Sequence, residues 1–138
     1  MTIEPFKPGH LDEIDLQLAQ TQWREYRDPL YAKTLGEHLG VTAREDGKVL
    51  ACAGVISLER DVGHAWAFVA RGQKMIRFRR CVQRLFEVSG KRRILASTEA
   101  DFPQGCRWLE LLGFSRLDTP ATFHGPDGRA HVIYVRVS

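Results

Sequence analysis

Phe102-Pro-Gln-Gly-Cys-Arg-Trp-Leu-Glu-Leu-Leu-Gly113-Phe114 carries both an amphipathic helix and the signal that ends it. Trp108, Leu111 and Leu112 fall three and four residues apart and so share one face, expected inward, while Arg107 and Glu110 point elsewhere. Glycine reaches positive φ without steric cost, which makes Gly113 the expected C-terminal cap and lets Phe114 fold back as its hydrophobic contact.

Downstream of this helix, residues 115–123 and 131–137 read as two strands joined by the Gly125-Pro126-Asp127-Gly128 loop. Upstream, residues 92–98 form another strand with Ile94 and Leu95 in its middle. Before it, Met75, Phe78, Val82, Leu85 and Phe86 recur with helical spacing until Ser89-Gly90 stops them. Further back the period drops to two. Residues 41–44 and 48–58 are β-prone runs joined by Glu45-Asp46-Gly47, a hairpin turn whose central positions tolerate positive φ. The second run is apolar at nearly every position, which predicts cover on both faces. Arg60-Asp61-Val62-Gly63 then turns the chain into a strand over 64–70, with His64, Trp66 and Phe68 on one face and Ala65, Ala67 and Val69 on the other. At the start, 2–6 is a short first strand. Leu11, Ile14, Leu16 and Leu18 mark a helix, and Asp28-Pro29 opens a second one that Gly40 stops, with Leu30, Leu35 and Leu39 inward.

At 138 residues and 43% apolar composition, one compact domain over 1–138 is expected. The sequence has no apolar run long enough to span a bilayer, so a soluble cytoplasmic protein without membrane contact is the expectation. Cys52, Cys81 and Cys106 are odd in number and set in apolar patterns, which suits buried reduced thiols. The five histidines are scattered without metal-ligand spacing, so no metal is expected. The net charge of +3 conceals an asymmetry: the stretch from Arg71 to Arg93 holds nine cations against Glu87 alone, a net +8, leaving −5 for the remainder. Such a segment suits a negatively charged partner or a solvated face.

The order of elements is a strand, two helices, three antiparallel strands, a helix, a strand, a helix and two strands. With the Gly113-Phe114 ending, it resembles the GNAT family of N-acetyltransferases over essentially the whole chain. Ile3-Glu4-Pro5-Phe6, Val49-Leu50-Ala51-Cys52-Ala53-Gly54 and Arg107-Trp108 are also similar to small acetyltransferase-like proteins of tailed phages, whose relatives include an internal virion protein. The resemblance implies an α/β (α+β) fold with a mixed, mostly antiparallel sheet of six to seven strands, about four helices and splayed central strands. Acetyl-coenzyme A would wedge between the 64–70 and 92–98 strands, and an amine would attack its thioester directly.

By the same resemblance His64 is the candidate base, with Glu59 and Glu99 as weaker substitutes, and a backbone amide at Phe68 or Val69 holds the oxyanion. Val69 and Ala70 pair with pantetheine, and Arg71, Gly72, Gln73, Lys74, Met75 and Arg77 meet the phosphates. Two departures from the family pattern stand out. The phosphate loop is short and has one glycine, and Leu109 occupies the position where the family often places a tyrosine that protonates the leaving thiolate. Cys106, one turn away, reads as core. The departures favour an alternative: a catalytically degenerate phage protein acting in the virion or on a host protein, in the host cytoplasm. Nucleic-acid binding through the +8 segment ranks last, because Phe78 and Phe86 read as inward and leave no interleaved exposed aromatics. The C-terminal hairpin offers an edge through which a homodimer could pair.

Overall fold

The computed structural model describes residues 1–15, 29–117, 123–124 and 130–138. β1 (Thr2–Pro5), α1 (His10–Glu13) and α2 (Pro29–Gly36) precede β2 (Leu39–Glu45), β3 (Lys48–Ser57) and β4 (Val62–Val69). A 3₁₀ turn (Met75–Phe78) leads into α3 (Arg79–Ser89), then β5 (Arg93–Glu99), α4 (Pro103–Leu111), β6 (Ser115–Arg116), β7 (Phe123–His124) and β8 (Ala130–Val137). The sheet order is β1-β2-β3-β4-β5-β8-β6, with β7 also on β8, and every pairing is antiparallel except β4 with β5.

This is the expected mixed, mostly antiparallel architecture: among the described residues seven strands form the main path, and the two-residue β7 sits beside it on β8. The strand expected over 115–123 contributes two short pieces, and 118–122 between them lie outside the described residues. So do Leu16, Leu18, Asp28, the side chain of Leu30 and the 125–128 loop.

Two cores sandwich the sheet. Val82, Leu85 and Phe86 of α3 and Leu109 and Leu112 of the α4 segment pack on Ala53, Val55, Val69, Ile94, Ala96 and Tyr134. On the other face Leu11, Ile14 and Leu35 pack with Phe6, Cys52, Trp66 and Phe68. β3 is buried over seven consecutive residues because it serves both cores at once. The short α1 is pinned by polar contacts. His10 Nδ1 accepts the Lys7 N–H at 3.2 Å, so the ring proton sits on Nε2, 3.1 Å from Glu4 Oε1. Arg44 on β2 reaches both Glu4 and Glu13.

The local stop signals act as read. Asp46 (φ 51°) and Gly47 (φ 77°) turn the β2–β3 hairpin, Gly90 (φ 66°) ends α3 and Gly113 (φ 93°) ends α4. Phe114 N–H bonds the Leu109 carbonyl at 3.0 Å, and its ring is buried against Phe86. Other expectations need correction. α2 stops at Gly36, not Gly40, because Leu39 and Gly40 are already paired with Val55 and Gly54 on β3, which leaves Leu39 exposed. Leu111 is 39% exposed, and the buried face of α4 is Gly105 and Leu109, continued by Leu112. Of the three free thiols only Cys52 is fully buried; Cys81 and Cys106 are half-buried.

Candidate active site

β4 and β5 are hydrogen-bonded neighbours for three residue pairs only, Val62↔Arg93, Gly63↔Ile94 and His64↔Leu95. Beyond His64 each strand keeps its outer partner, β4 on β3 as far as Val69 and β5 on β8 as far as Glu99. The strands therefore diverge as a V whose vertex is His64.

Within the V lies an apolar slot of about 100 Å³. Its floor is Ala53, Ala65, Ala67 and Ala96, and its roof is Val82, Leu85 and Phe86 from α3 with Leu109 and Leu112 from the α4 segment. Thr98 brings a hydroxyl beside Gly105, and among the described residues the lining holds no ionisable side chain. α4 can lie close because Gly105 has no Cβ: one built there would meet Thr98 Oγ1 at 2.5 Å and Phe102 Cδ2 at 2.7 Å. Trp66, on the lining, has a buried indole N–H with no acceptor among the described residues.

Outside the slot opens a bowl of about 480 Å³. Arg71, Gly72, Gln73, Lys74, Met75 and Ile76 form one wall, and Gln104, Arg107, Trp108 and Leu111 of α4 the other. Met75 and Trp108 belong to both linings, so slot and bowl are continuous. Gly72 sits at φ 82° and opens the loop, and among the described residues the amides of Gly72, Lys74 and Met75 donate to no backbone carbonyl. Such amides ahead of a helix, with Arg71, Lys74 and Arg107 around them, suit an anion.

The expected site residues separate into two groups. Backbone N–H directions alternate along a strand, and Ala70 N–H is taken by the Leu50 carbonyl at 2.8 Å. Val69 N–H is thereby directed toward the gap and Phe68 N–H toward β3, so of the two oxyanion candidates Val69 is the one that faces the gap. The Ala70 carbonyl accepts Gln73 N–H at 3.2 Å and keeps one lone pair. Arg77 departs too: its guanidinium bonds Gln73 Oε1 at 2.9 Å and pairs with Glu45 on β2, and it is absent from the bowl's wall. Arg107 and Gln104 come from α4 instead. Their spacing with Trp108 and Leu111 is a helical face legible in the sequence, but it was assigned to solvent or to the core.

His64 is half-buried on the face shared by Trp66 and Phe68, outside the slot's lining. Burial pushes its pKa below the ordinary 6.5, so the imidazole is neutral at pH 7 and able to take a proton. Glu59 lies in the turn between β3 and β4 and makes backbone hydrogen bonds with Val62 there. Glu99 is buried at the end of β5, in register with His131 of β8. Among the described residues no tyrosine lines the slot: Tyr134 is buried beneath α4 beside Cys106, its phenol pushed up to about 12 mainly by burial. Among the described residues no three or more His, Cys, Asp or Glu side chains converge as a metal site, and no helix is long and apolar enough to cross a membrane.

This arrangement is the GNAT fold. Solved structures sharing it include ribosomal-protein-alanine N-acetyltransferase from Brucella melitensis, with TM-score 0.70, 15% identity and 100% of both chains covered. IAA acetyltransferase from Bacillus cereus is similar at TM-score 0.72 and 13% identity, covering 99% of each chain. A GNAT family acetyltransferase from Elizabethkingia anophelis with acetyl-CoA bound matches at TM-score 0.70 and 13% identity, over 99% of this chain and 97% of that one. No protein-family model and no curated protein sequence matches the chain.

Proposed function

We propose that the chain is an acyl-coenzyme A-dependent N-acetyltransferase of the GNAT family that moves an acetyl group to an amine by direct attack. The observation that carries this reading is the parting of β4 from β5 after His64↔Leu95, with an apolar slot inside the V and a cationic bowl at its mouth. A bound acyl-coenzyme A supplies the activated thioester. The amides of Gly72, Lys74 and Met75, with the Arg71, Lys74 and Arg107 side chains, hold its phosphates, and the slot excludes water from its arm. Val69 N–H faces the place where negative charge develops on the carbonyl oxygen and stabilises it there. Neutral His64, at the vertex and five strand residues (roughly 16 Å) from Val69, takes the ammonium's proton through a relay of water molecules rather than directly. Leu109 has no proton to return, so the departing thiolate takes its proton from water.

The acceptor class is a primary amine, on a small molecule or on a protein as for the ribosomal-protein-alanine neighbour. Calorimetry with acetyl-coenzyme A tests the reading first, followed by thiol release with an alanine-terminated peptide and with spermidine. Saturable binding and amine-dependent thiol release support it; no heat and no thermal shift up to millimolar cofactor refutes it.

A second reading rests on Leu109 and on a slot that, among the described residues, is lined by no ionisable side chain: a catalytically degenerate fold serving in a phage virion or on a host protein. It predicts coenzyme A binding without thiol release for any amine.

A further inference from the structure

Lys91 gives all three of its donors to one turn. Its ammonium donates to Ser57 Oγ at 2.7 Å, to the Glu59 carbonyl at 2.7 Å and to the Arg60 carbonyl at 2.9 Å, and a lysine has no further N–H to offer. Ser57 ends β3, Glu59 and Arg60 lie in the turn before β4, and Lys91 stands two residues before β5. The three bonds therefore tie the start of β5 to the start of β4 across 31 to 34 residues of chain. The stem is placed as closely as the head: a Cβ on Gly63 would stand 3.2 Å from Lys91 Cγ, so the methylenes cross β4 one residue before His64. Lys91 N–H donates to Ser89 Oγ at 3.3 Å and its carbonyl accepts Ser138 Oγ at 3.5 Å, which fixes the backbone from which the side chain reaches. Arg93 N–H adds one more bond to the same turn, to the Asp61 carbonyl at 3.0 Å.

This seam lies at the vertex of the V, and both walls of the bowl are carried on its arms. Arg71 to Ile76 follow β4, and Gln104 to Leu111 belong to α4, which follows β5. Val69 lies five residues and about 16 Å beyond His64, so a swing of about 10° at the vertex moves it by about 3 Å. Resting on the coenzyme A reading, we infer that Lys91 is a positioning residue for the transfer: its clamp on the β3–β4 turn sets the angle at which β4 leaves β5, and with it the width of the slot and the spacing of the bowl's two walls. Lys91 lines neither slot nor bowl and acts through the strands that carry them. A cofactor that must meet both walls at once binds more weakly when the angle between them is free to vary, because fixing it then draws on the binding energy.

Isothermal titration calorimetry with coenzyme A and amide hydrogen exchange test this on the full chain. Lys91→Met keeps a stem over Gly63 and removes the three donors, Ser57→Ala removes one acceptor, and Val49→Ala, a truncation in the opposite core, controls for lost stability. All are compared at a temperature where each is folded. Lys91→Met should raise the Kd for coenzyme A about tenfold and speed exchange over 62–64 and 93–95 about tenfold; Ser57→Ala should raise Kd about threefold, and Val49→Ala should leave it within about twofold. An unchanged Kd in folded Lys91→Met overturns the inference, as does a rise in Val49→Ala equal to that in Lys91→Met. If Lys91→Met does not fold, an unchanged Kd in Ser57→Ala overturns it. Wild-type protein that takes up no coenzyme A removes the transferase reading and this role with it, whereas wild-type binding with a Kd indifferent to Lys91 removes this role alone.

Discussion

Gly54→Ala and Gly9→Ala make the same chemical change in two settings, and the structure predicts opposite consequences. A Cβ on Gly54 would stand 2.6 Å from the Leu39 carbonyl oxygen, 2.6 Å from Trp66 Nε1 and 2.7 Å from Trp66 Cε2. Neither neighbour can yield cheaply. The Leu39 carbonyl belongs to the β2–β3 ladder, and the Trp66 ring is wedged edge-on against Phe6 at 4.8 Å between centroids. Overpacking of this kind costs about 1–3 kcal/mol. For a domain of this size that is a fall in melting temperature of about 3–5 °C per kcal/mol. At Gly9 a Cβ meets nothing within 4 Å and the backbone is already helical, at φ −62° and ψ −20°. That variant should stay within about 0.5 kcal/mol of wild type. Urea unfolding followed by far-ultraviolet circular dichroism reads both midpoints. Because Gly54 and Trp66 also line the slot, Gly54→Ala should weaken coenzyme A binding as well. Midpoints for the two variants that agree within about 0.5 kcal/mol would refute the packing described for β3 and β4.

Burial holds the His64 pKa below 6.5, so the unfolded chain takes up this proton first; its contribution to stability is complete above pH 6.5 and is lost as pH falls from there toward the folded value. The acid limb of kcat/KM should accordingly lie below pH 6.5. His64→Gln should abolish that limb and slow turnover by about 10²-fold or more, and an unchanged profile would remove His64 from the chemistry. Arg107→Ala should raise the Kd for coenzyme A by about tenfold, while Arg77→Ala, already paired with Glu45, should change it less than about twofold; calorimetry giving the reverse order would contradict the assignment of the bowl. Burial pushes the Cys52 thiol up to about 11, so an aromatic disulfide reagent at pH 8 should modify Cys81 and Cys106 in the native protein and Cys52 only in denaturant. Three thiols reacting at the same native rate would show that the α1–α2 face is not packed as described.

What the sequence made legible was whatever a few neighbouring residues determine. Asp46-Gly47, Gly90 and Gly113 need positive φ, and each stands where its turn or cap was expected. The β3 run announced burial on both faces because no polar residue interrupts it from Val49 to Val55. The misreadings all involve partners distant along the chain. Gly40 looked like a helix stop, but pairing with Gly54 draws it into a strand. Arg77 was expected near the phosphates, and the fold pairs it with Glu45, 32 residues earlier, a contact no local pattern announces. Leu111 shares a helical spacing with two neighbours that face the core, and only the docking of Gly105 against Thr98 and Phe102 fixes which way the α4 face turns. The parting of β4 from β5 has no local signature at all, since it is defined by hydrogen bonds that stop at His64; the resemblance supplied it.

That parting also explains a cost the molecule carries. Apolar space of about 100 Å³ left unfilled costs at most about 2 kcal/mol, and less here because the slot opens to the bowl, against roughly 5–15 kcal/mol for the stability of a whole domain. Closing it needs nothing elaborate: valine for alanine at positions 65 or 96 would fill much of it. The Trp66 N–H, which has no acceptor among the described residues, stands on the same lining. The void and this N–H lie along the strands that separate, beside a helix and loop lined with cations. A ligand that inserts an apolar arm from an anionic head removes the cost of the void on binding and meets the charge outside. The void, the V and the bowl are thus accounted for together by one class of molecule, whereas a role confined to the outer surface leaves the first two unexplained.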